Sequence, residues 1–317
     1  MDAGQIQLVR HFNRAVTRRI GVLTDDYLGR GCSLGEARVL FEIGREGANV
    51  RDLRARLSLD SGYLSRLLRS LERQGLTTSR RAADDGRVRR AMLTRKGRRE
   101  LDALDLRSRD FAASLLAPLG ESQRERMIAA MGEVERLMRA SMVMIGPIDP
   151  GSADARACVE AYFRELNARF GTGFDPARST SADPEELVPP AGLFLAAHLD
   201  GQPVGCGALK VRGRRLGEIK RMWVAPSARR LGIAQRLLDA LEKYAAEIGL
   251  DKLQLDTNRV LDEARALYAR NGYREVAPYN TNPYAHYWFE KRGLRRRKDS
   301  RIEQKPGRTR SRGKGVD

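Results

Sequence analysis

The sequence predicts a chain of two domains from different structural classes, a mainly α-helical first half and a mixed α/β second half, closed by a basic tail without a core. Three observations carry this. Residues 1–145 are rich in leucine, arginine and alanine at helical spacing and hold a single proline, Pro118. At "GPIDPGSADA", from Gly146, prolines and glycines interrupt any helix. Beyond it, apolar runs suited to strands (LFLAAHL, PVGCGALKV, EIKRMWV, KLQLDT) alternate with helical segments, the texture of an α/β domain. The expected domains are therefore 1–144, 145–292 and 293–317. From Leu294 onward ten Lys or Arg stand against three acids with almost no apolar residue, so this last part reads as a disordered basic tail.

With 317 residues the chain is long enough for two separate cores. Its formal charge of +18 and pI near 10.4 favour a polyanionic partner, either nucleic acid or a phosphate-rich ligand. That charge is concentrated: residues 45–100 hold sixteen Lys or Arg against seven acids. No run approaches the roughly 20 apolar residues of a membrane span, and "MDAGQIQLVRHF" lacks the apolar centre of a signal peptide. A cytoplasmic protein with no membrane partner is expected. Cys32, Cys158 and Cys206 are dispersed and odd in number, which suits buried thiols better than disulfides or a metal cluster. His198 and His286 fall on different expected strands without ligand-type neighbours, so no metal is expected.

From Asn49 the text "NVRDLRARLSLDSGYLSRLLRSLERQGLTTS" holds two short amphipathic helices. Val50, Leu53 and Leu57 mark the first; Leu64, Leu67, Leu68 and Leu71 mark the second, with Asp60 or Ser61 placed to cap it. Two helices across a tight break form a helix-turn-helix. The leucines take the inner face and leave Ser61, Tyr63, Ser65, Arg66 and Arg69 on or near the outer one, where arginines and short hydroxyls suit phosphates and base edges. Residues 77–81 and 88–94 flank "AADDG", a turn-forming sequence that reads as a β-hairpin. A hairpin directly after a recognition helix is a wing, whose Arg87, Arg89 and Arg90 would reach a minor groove or the backbone. The segment resembles the winged helix of the MarR family of bacterial transcription factors. "DSGYLSRLLRSLERQGL" matches the family's recognition helix, and Asp85, Arg87, Leu93, Thr94 and Gly97 match its D-x-R and L-T-x-x-G wing pattern. The resemblance covers about residues 5–144. It implies that flanking helices, about 5–29 and 96–144, intertwine two subunits into a homodimer that reads a pseudo-palindromic operator in double-stranded DNA.

In the second half, "LGEIKRMWVAPSARRLGIAQRLLDALEKYAAEIGL" gives a strand, Leu216–Val224, ended by Pro226. Ile233, Ala234, Leu237, Leu238, Leu241, Ala245 and Ile248 then recur at three and four, an amphipathic helix. A helix N-terminus offers unpaired N–H groups and the positive end of the dipole, and Gly232 and Ala234 would let a diphosphate come close. The spacing is neither G-x-x-x-x-G-K-[ST] nor G-x-G-x-x-G, which disfavours ATP and NAD.

Arg229, Gly232 and Ala234 form R-x-x-G-x-A, which resembles the acetyl-CoA turn [QR]-x-x-G-x-[GA] of the GNAT superfamily of N-acetyltransferases. The preceding strand is similar to that family's fourth, "KLQLDTN" to its fifth, and "EARALYARNGYREV" to its A-x-x-L-Y-x-x-x-G-[FY] segment. The resemblance covers about residues 142–292. It implies that acetyl-CoA is held by the backbone at Met222, Trp223 and Val224, by the turn of Arg229, Arg230, Leu231, Gly232, Ile233, Ala234 and Gln235, and by Asn258 and Tyr268. Asn258 is equally placed to cap the next helix. By the same resemblance Glu218 is the general base that takes the amine proton and Tyr268 the acid that protonates the departing thiolate, with the Val224 amide donating to the thioester carbonyl.

The acceptor pocket is expected from "RFGTGFDPARS" and "PYNTNPYAHYWF", whose aromatics and amides suit a small polar amine or amino acid; Arg178, Lys220 and Arg221 are placed to hold a carboxylate. The function expected is a bifunctional DNA-binding transcriptional regulator and acetyl-CoA-dependent N-acetyltransferase. Two alternatives stay open: a regulator whose second domain only senses acetyl-CoA or an amine, and a protein acetyltransferase localised by its DNA-binding half.

Overall fold

The computed structural model describes residues 2–20, 26–81, 89–180 and 182–294. The chain divides into two compact units, Met1–Glu133 and Val134–Asp317.

The first unit is mainly helical: α1 (Ala3–Ile20), α2 (Leu34–Ile43), the two-residue β1 (Ala48–Asn49), α3 (Val50–Leu57), α4 (Ser61–Arg73), β2 (Thr77–Arg81), β3 (Arg89–Leu93), α5 (Arg95–Leu116) and α6 (Glu121–Met142), the last running on into the second unit. Ser58, left-handed at φ 51°, makes the break between α3 and α4, and the Asp60 side chain caps α4 by accepting from the Tyr63 amide at 2.8 Å. All four leucines of α4 are buried, packed with Leu40, Ile43 and Leu53. β2 and β3 pair antiparallel from Thr77 opposite Leu93 to Arg81 opposite Arg89, and β1 adds a short third strand on β3 that its two-residue length had hidden from periodicity. The hairpin and the helix-turn-helix are thus present; Asp85 and Arg87 at the hairpin loop lie outside the described residues, as does the tail from residue 295. Thr94 caps α5 from the Gly97 amide at 3.0 Å. A Cβ on Gly97 would stand 1.9 Å from the Leu76 carbonyl oxygen, which explains the glycine of the L-T-x-x-G pattern by close approach of backbone.

The flanking helices differ from expectation in their ends. The first is described as far as Ile20, residues 21–25 lying outside the described residues, and Tyr27–Gly29 forms a 3-10 turn with Leu28 at φ 57°. The second is two helices, because Pro118 has no amide to continue α5 and α6 restarts after Gly120.

In the second unit, β4 (Met144–Pro147), α7 (Ala153–Arg169), β5 (Gly192–Leu199), β6 (Gln202–Gly213), β7 (Leu216–Val224), α8 (Ile233–Glu247), β8 (Lys252–Thr257), α9 (Asp262–Arg270), β9 (Arg274–Val276) and β10 (Tyr287–Arg292) build one seven-stranded sheet in the order β4-β5-β6-β7-β8-β10-β9. The segment around Ile145 is the first strand of this sheet, paired with β5. The end of α6 is fastened to the same unit: Arg236 donates to the carbonyls of Ala140 and Val143 at 3.0 and 2.8 Å. Leu237, Leu238 and Leu241 of α8 are fully buried in the main core, each contributing roughly 1.5–3 kcal/mol. Ala155 and Cys158 of α7 pack in a separate cluster with Phe194, Cys206 and Ala208.

One pairing in the sheet is parallel, and it is short. β7 and β8 pair only from Leu216 to Glu218 against Lys252 to Gln254, although they continue to Val224 and Thr257. The register of β6 on β7 slips between Cys206 and Ala208, where Arg221 takes φ 54°, the signature of a β-bulge. Beyond Glu218 the two parallel strands therefore part, and a cleft opens between them.

Candidate functional site

The cleft is walled by Ile219, Lys220, Arg221 and Met222 of β7, by Asp256, Thr257 and Asn258 at the end of β8, and by Tyr268 of α9. Tyr162 and Phe163 of α7, with Phe170 just after it, Phe174 and Tyr284, complete it. Among the described residues the β7 backbone past Glu218 has no strand partner on the β8 side, which leaves Met222, Trp223 and Val224 at the edge that the family resemblance assigns to an extended ligand.

Past β7, the turn of residues 229–232 contains two left-handed residues, Arg230 at φ 64° and Gly232 at φ 72°. Gly232 occupies the cap position of α8 without a side chain to fill it. The first intrahelical bond is Arg236 N–H to Gly232 O at 3.1 Å, so the amides of Ile233, Ala234 and Gln235 have no helical acceptor. Leu231 and Ile233 are buried in the core and anchor the turn from both sides. An oxyanion placed here meets aligned amides at the positive end of a fifteen-residue helix. The small residues, the empty cap and the parted strand fit the diphosphate and extended arm of a coenzyme A thioester.

Arg229 and Trp223 are engaged inside the protein by their side chains. Arg229 Nη2 lies 2.5 and 2.6 Å from the two oxygens of Glu165 on α7, and Trp223 Nε1 donates to the same carboxylate at 2.9 Å. Burial opposes ionisation of Glu165, but the Trp223 and Arg229 hydrogen bonds hold its carboxyl below the usual range. Gln235 exchanges amide hydrogen bonds with Asn271 at 2.7 and 2.9 Å. Asn258 donates to the Tyr284 carbonyl at 2.7 Å and accepts from the Val260 amide at 3.1 Å, so its side chain shapes the turn into α9. Arg230 is exposed.

The two catalytic candidates are both buried but in different company. Tyr268 lines the cleft; burial, next to Tyr162 and Asp256, pushes its phenol pKa up. Glu218 is not on the cleft wall: its Oε1 is 2.8 Å from Lys220 Nζ and 3.5 Å from the Tyr279 hydroxyl, and its Oε2 is 3.7 Å from Arg212. The carboxylate that does line the cleft is Asp256, which sequence reasoning missed. Its Oδ2 accepts from Asn280 and Asn282 at 3.0 and 2.9 Å, and Asn280 is held in turn by Trp288 Nε1 at 2.9 Å. The signal was available, since alternation in "KLQLDT" puts Gln254 and Asp256 on the face opposite the buried leucines. Of the cations proposed for a carboxylate, Lys220 and Arg221 line the cleft, whereas Arg178 is exposed and does not.

Outside the cleft, His198 pairs with Asp154 at 3.0 Å, and the three cysteines are free and buried. Among the described residues no His, Cys, Asp and Glu group suits a metal, and no helix is long and apolar enough to cross a membrane.

On α4, Ser61, Tyr63, Arg66 and Arg69 are exposed and Ser65 half-buried. Arg66 lies 5.5 Å from the Tyr63 ring centre, and Arg69 Nε donates to the Ser65 carbonyl at 3.2 Å. Arg89, at the start of β3, is paired with Glu72 at 3.2 Å. These side chains form one polar face of the first unit, opposite the leucines.

An α/β sheet whose parallel strands part, followed by an uncapped glycine turn, is the architecture of the coenzyme A-dependent acyltransferase class. The chain belongs to the acetyltransferase (GNAT) family, whose model matches residues 159–273, and residues 31–88 match the MarR family. GNAT acetyltransferases use acetyl-CoA. The chain is 35% identical over 127 residues to the IAA acetyltransferase of Azospirillum brasilense, covering 40% of this chain and 82% of that one. It is 28% identical over 202 residues to the mycothiol acetyltransferase of Pseudarthrobacter chlorophenolicus, covering 59% and 61%. A GNAT-family acetyltransferase structure from Staphylococcus aureus Mu50 superimposes with a TM-score of 0.42 at 20% identity, over 48% of this chain and 99% of the other.

Proposed function

We propose that the second half is an active N-acetyltransferase that moves the acetyl group of acetyl-CoA to a small amine or amino acid, and that the first half is a DNA-binding regulator. The observation that carries the first part is the cleft itself, which brings the unpaired edge of β7 and Tyr268 together, with the chain running on from β7 to the uncapped turn at Gly232. When bound, acetyl-CoA supplies an acetyl thioester. Backbone amides of the turn hold its diphosphate, the β7 edge at Met222, Trp223 and Val224 orients its arm, and Tyr268 holds a proton for the departing sulfur. Glu218, the base candidate of the sequence, lies off the cleft wall, 2.8 Å from Lys220, and reaches the acceptor only through that lysine. Coenzyme A release by the purified chain across amino acids, polyamines and aromatic amines tests the reading; no release above hydrolysis with any of them would refute it.

For the regulator, the exposed face of α4 meets a major groove and the hairpin meets the adjacent backbone. A second copy covers α1, which has no buried residue although Ile6, Leu8, Val9 and Phe12 are exposed. Such a homodimer in the cytoplasm would read a pseudo-palindromic operator. Sedimentation of the chain with and without half-site DNA checks both statements.

One observation favours a second reading, in which the domain senses acetyl-CoA or an amine without turnover: Glu218 is already neutralised by Lys220 and Arg212. Acetyl-CoA binding that alters operator affinity, with no acetyl transfer, selects the sensor.

A further inference from the structure

Resting on the acetyltransferase reading, the cleft also carries the features of its acceptor. Asp256 stands where β7 has left β8, with its side chain 8% exposed. Among the described residues, its Oδ2 takes both hydrogen bonds from Asn280 and Asn282, while the charge facing Oδ1, Lys220 Nζ, is 3.6 Å away, beyond hydrogen-bond length. Lys220 is shared with Glu218 at 2.8 Å, so one cation faces two carboxylates and the group of three is negative. Arg212, which offsets Glu218 at 3.7 Å, is 48% exposed and screened by solvent. Oδ1 is therefore a fixed anionic acceptor with room for a donor.

The same cleft has an aromatic wall. Phe163, Phe170, Phe174 and Tyr284 form a continuous group with ring centres 4.9 to 5.9 Å apart, drawn from α7, the loop after it and the loop before β10. The Asp175 amide donates to the Tyr284 hydroxyl at 2.9 Å and locks the two loops together. A fixed carboxylate next to a rigid aromatic wall selects a cation on an apolar or aromatic body.

We infer that the acceptor is a primary arylalkylamine-type cation, and that Asp256 receives its ammonium group and takes one of its protons. In that step an N–H bond of the ammonium breaks, the proton bonds to Asp256 Oδ1, and the nitrogen lone pair is freed for the acetyl carbon. Glu218 then acts through Lys220 as a positioning residue for Asp256.

The test uses the full chain loaded with coenzyme A, titrated calorimetrically with phenethylamine, together with coenzyme-release kinetics on phenethylamine, phenylalanine and spermidine. Phenethylamine and phenylalanine are expected to exceed spermidine in kcat/KM by about tenfold or more. Asp256→Asn, which keeps an oxygen for Asn280 and Asn282, should lower kcat/KM for phenethylamine about a hundredfold. It should also weaken phenethylamine binding about tenfold, with coenzyme A affinity unchanged. Preference for spermidine, or unchanged phenethylamine binding in D256N, overturns the inference. Turnover that ignores D256N removes the Asp256 site and leaves the enzyme. Binding that depends on Asp256 without any turnover keeps the amine site and removes the enzyme. If D256N also loses coenzyme A, Phe174→Ala decides: selective loss of phenethylamine over spermidine supports the site, and equal loss overturns it.

Discussion

Arg229 and Glu165 are joined by two short charge-assisted contacts, 2.5 and 2.6 Å from one guanidinium nitrogen to the two carboxylate oxygens, so the residue that opens the Gly232 turn is tied to α7. Arg229 Nε also donates to the Val224 carbonyl at 3.2 Å, and so fixes the turn to the end of β7. The arginine of the R-x-x-G-x-A pattern thus acts as a strut for the amides.

Removing that strut should weaken acetyl-CoA binding. Arg229→Ala loses charge-assisted bonds worth about 1.5–3 kcal/mol, and the expected result is a Kd raised roughly tenfold or more by calorimetry. Glu165→Gln should do the same more mildly. Because the folded pKa of Glu165 lies below its ordinary value, its stabilisation is present above about pH 4.3 and is lost as pH falls through the folded pKa. Urea denaturation at pH 7 and pH 3 should show wild type losing more than E165Q; parallel losses would contradict the linkage.

Two glycines predict opposite readouts. At Gly232 an added Cβ meets nothing, so Ala pays only the left-handed backbone, about 1–2 kcal/mol, and the turn relaxes where the ligand binds. Gly232→Ala should cost acetyl-CoA affinity about tenfold. At Gly97 the Cβ would lie 1.9 Å from a backbone oxygen, a clash that outweighs the roughly 1 kcal/mol gain in helix propensity. Gly97→Ala should lower stability by about 2 kcal/mol in urea and leave acetyl-CoA binding intact.

Tyr268→Phe should lower kcat about a hundredfold with little change in acetyl-CoA affinity, since the phenol is asked only for its proton. Its raised pKa keeps the acid form throughout the neutral range, so the wild-type profile should show no alkaline fall attributable to Tyr268 below about pH 10. Equal turnover by the Phe variant would end the acid role.

Periodicity and turn chemistry made most of this fold legible before any coordinates. The leucines of α4 with the Asp60 cap, the pairing of β2 with β3 and four strands of the second sheet, β5 to β8, are written in local spacing. The short β4 and β9 and the end of α5 at Pro118 are not read from it. What local spacing could not reveal is long-range: that Glu218 lies under Lys220, that Arg229 meets a carboxylate 64 residues away, and that Asn280 and Asn282 converge on Asp256. Each depends on the parting of β7 from β8, which a bulge at Arg221 accompanies and no short motif announces. Family resemblance names a base by position, whereas the carboxylate on the cleft wall is Asp256 and not Glu218.

The two halves should also be separable by mutation. Arg66 is exposed on α4, on the side away from Leu64, Leu67 and Leu68, and its guanidinium rests 5.5 Å from the Tyr63 ring centre. A bidentate arginine contact to a base edge is worth about 1–3 kcal/mol of discrimination, while a phosphate contact contributes to the salt slope instead. Arg66→Ala is therefore expected to weaken binding to the chain's own operator by roughly ten- to hundredfold, with acetyl-CoA affinity and turnover unchanged. Titrations at two salt concentrations assign the contact: loss of sequence preference at constant slope means a base edge, and a slope reduced by about one means a phosphate. Equal loss of DNA and acetyl-CoA binding would mean that Arg66 supports the fold and reads nothing.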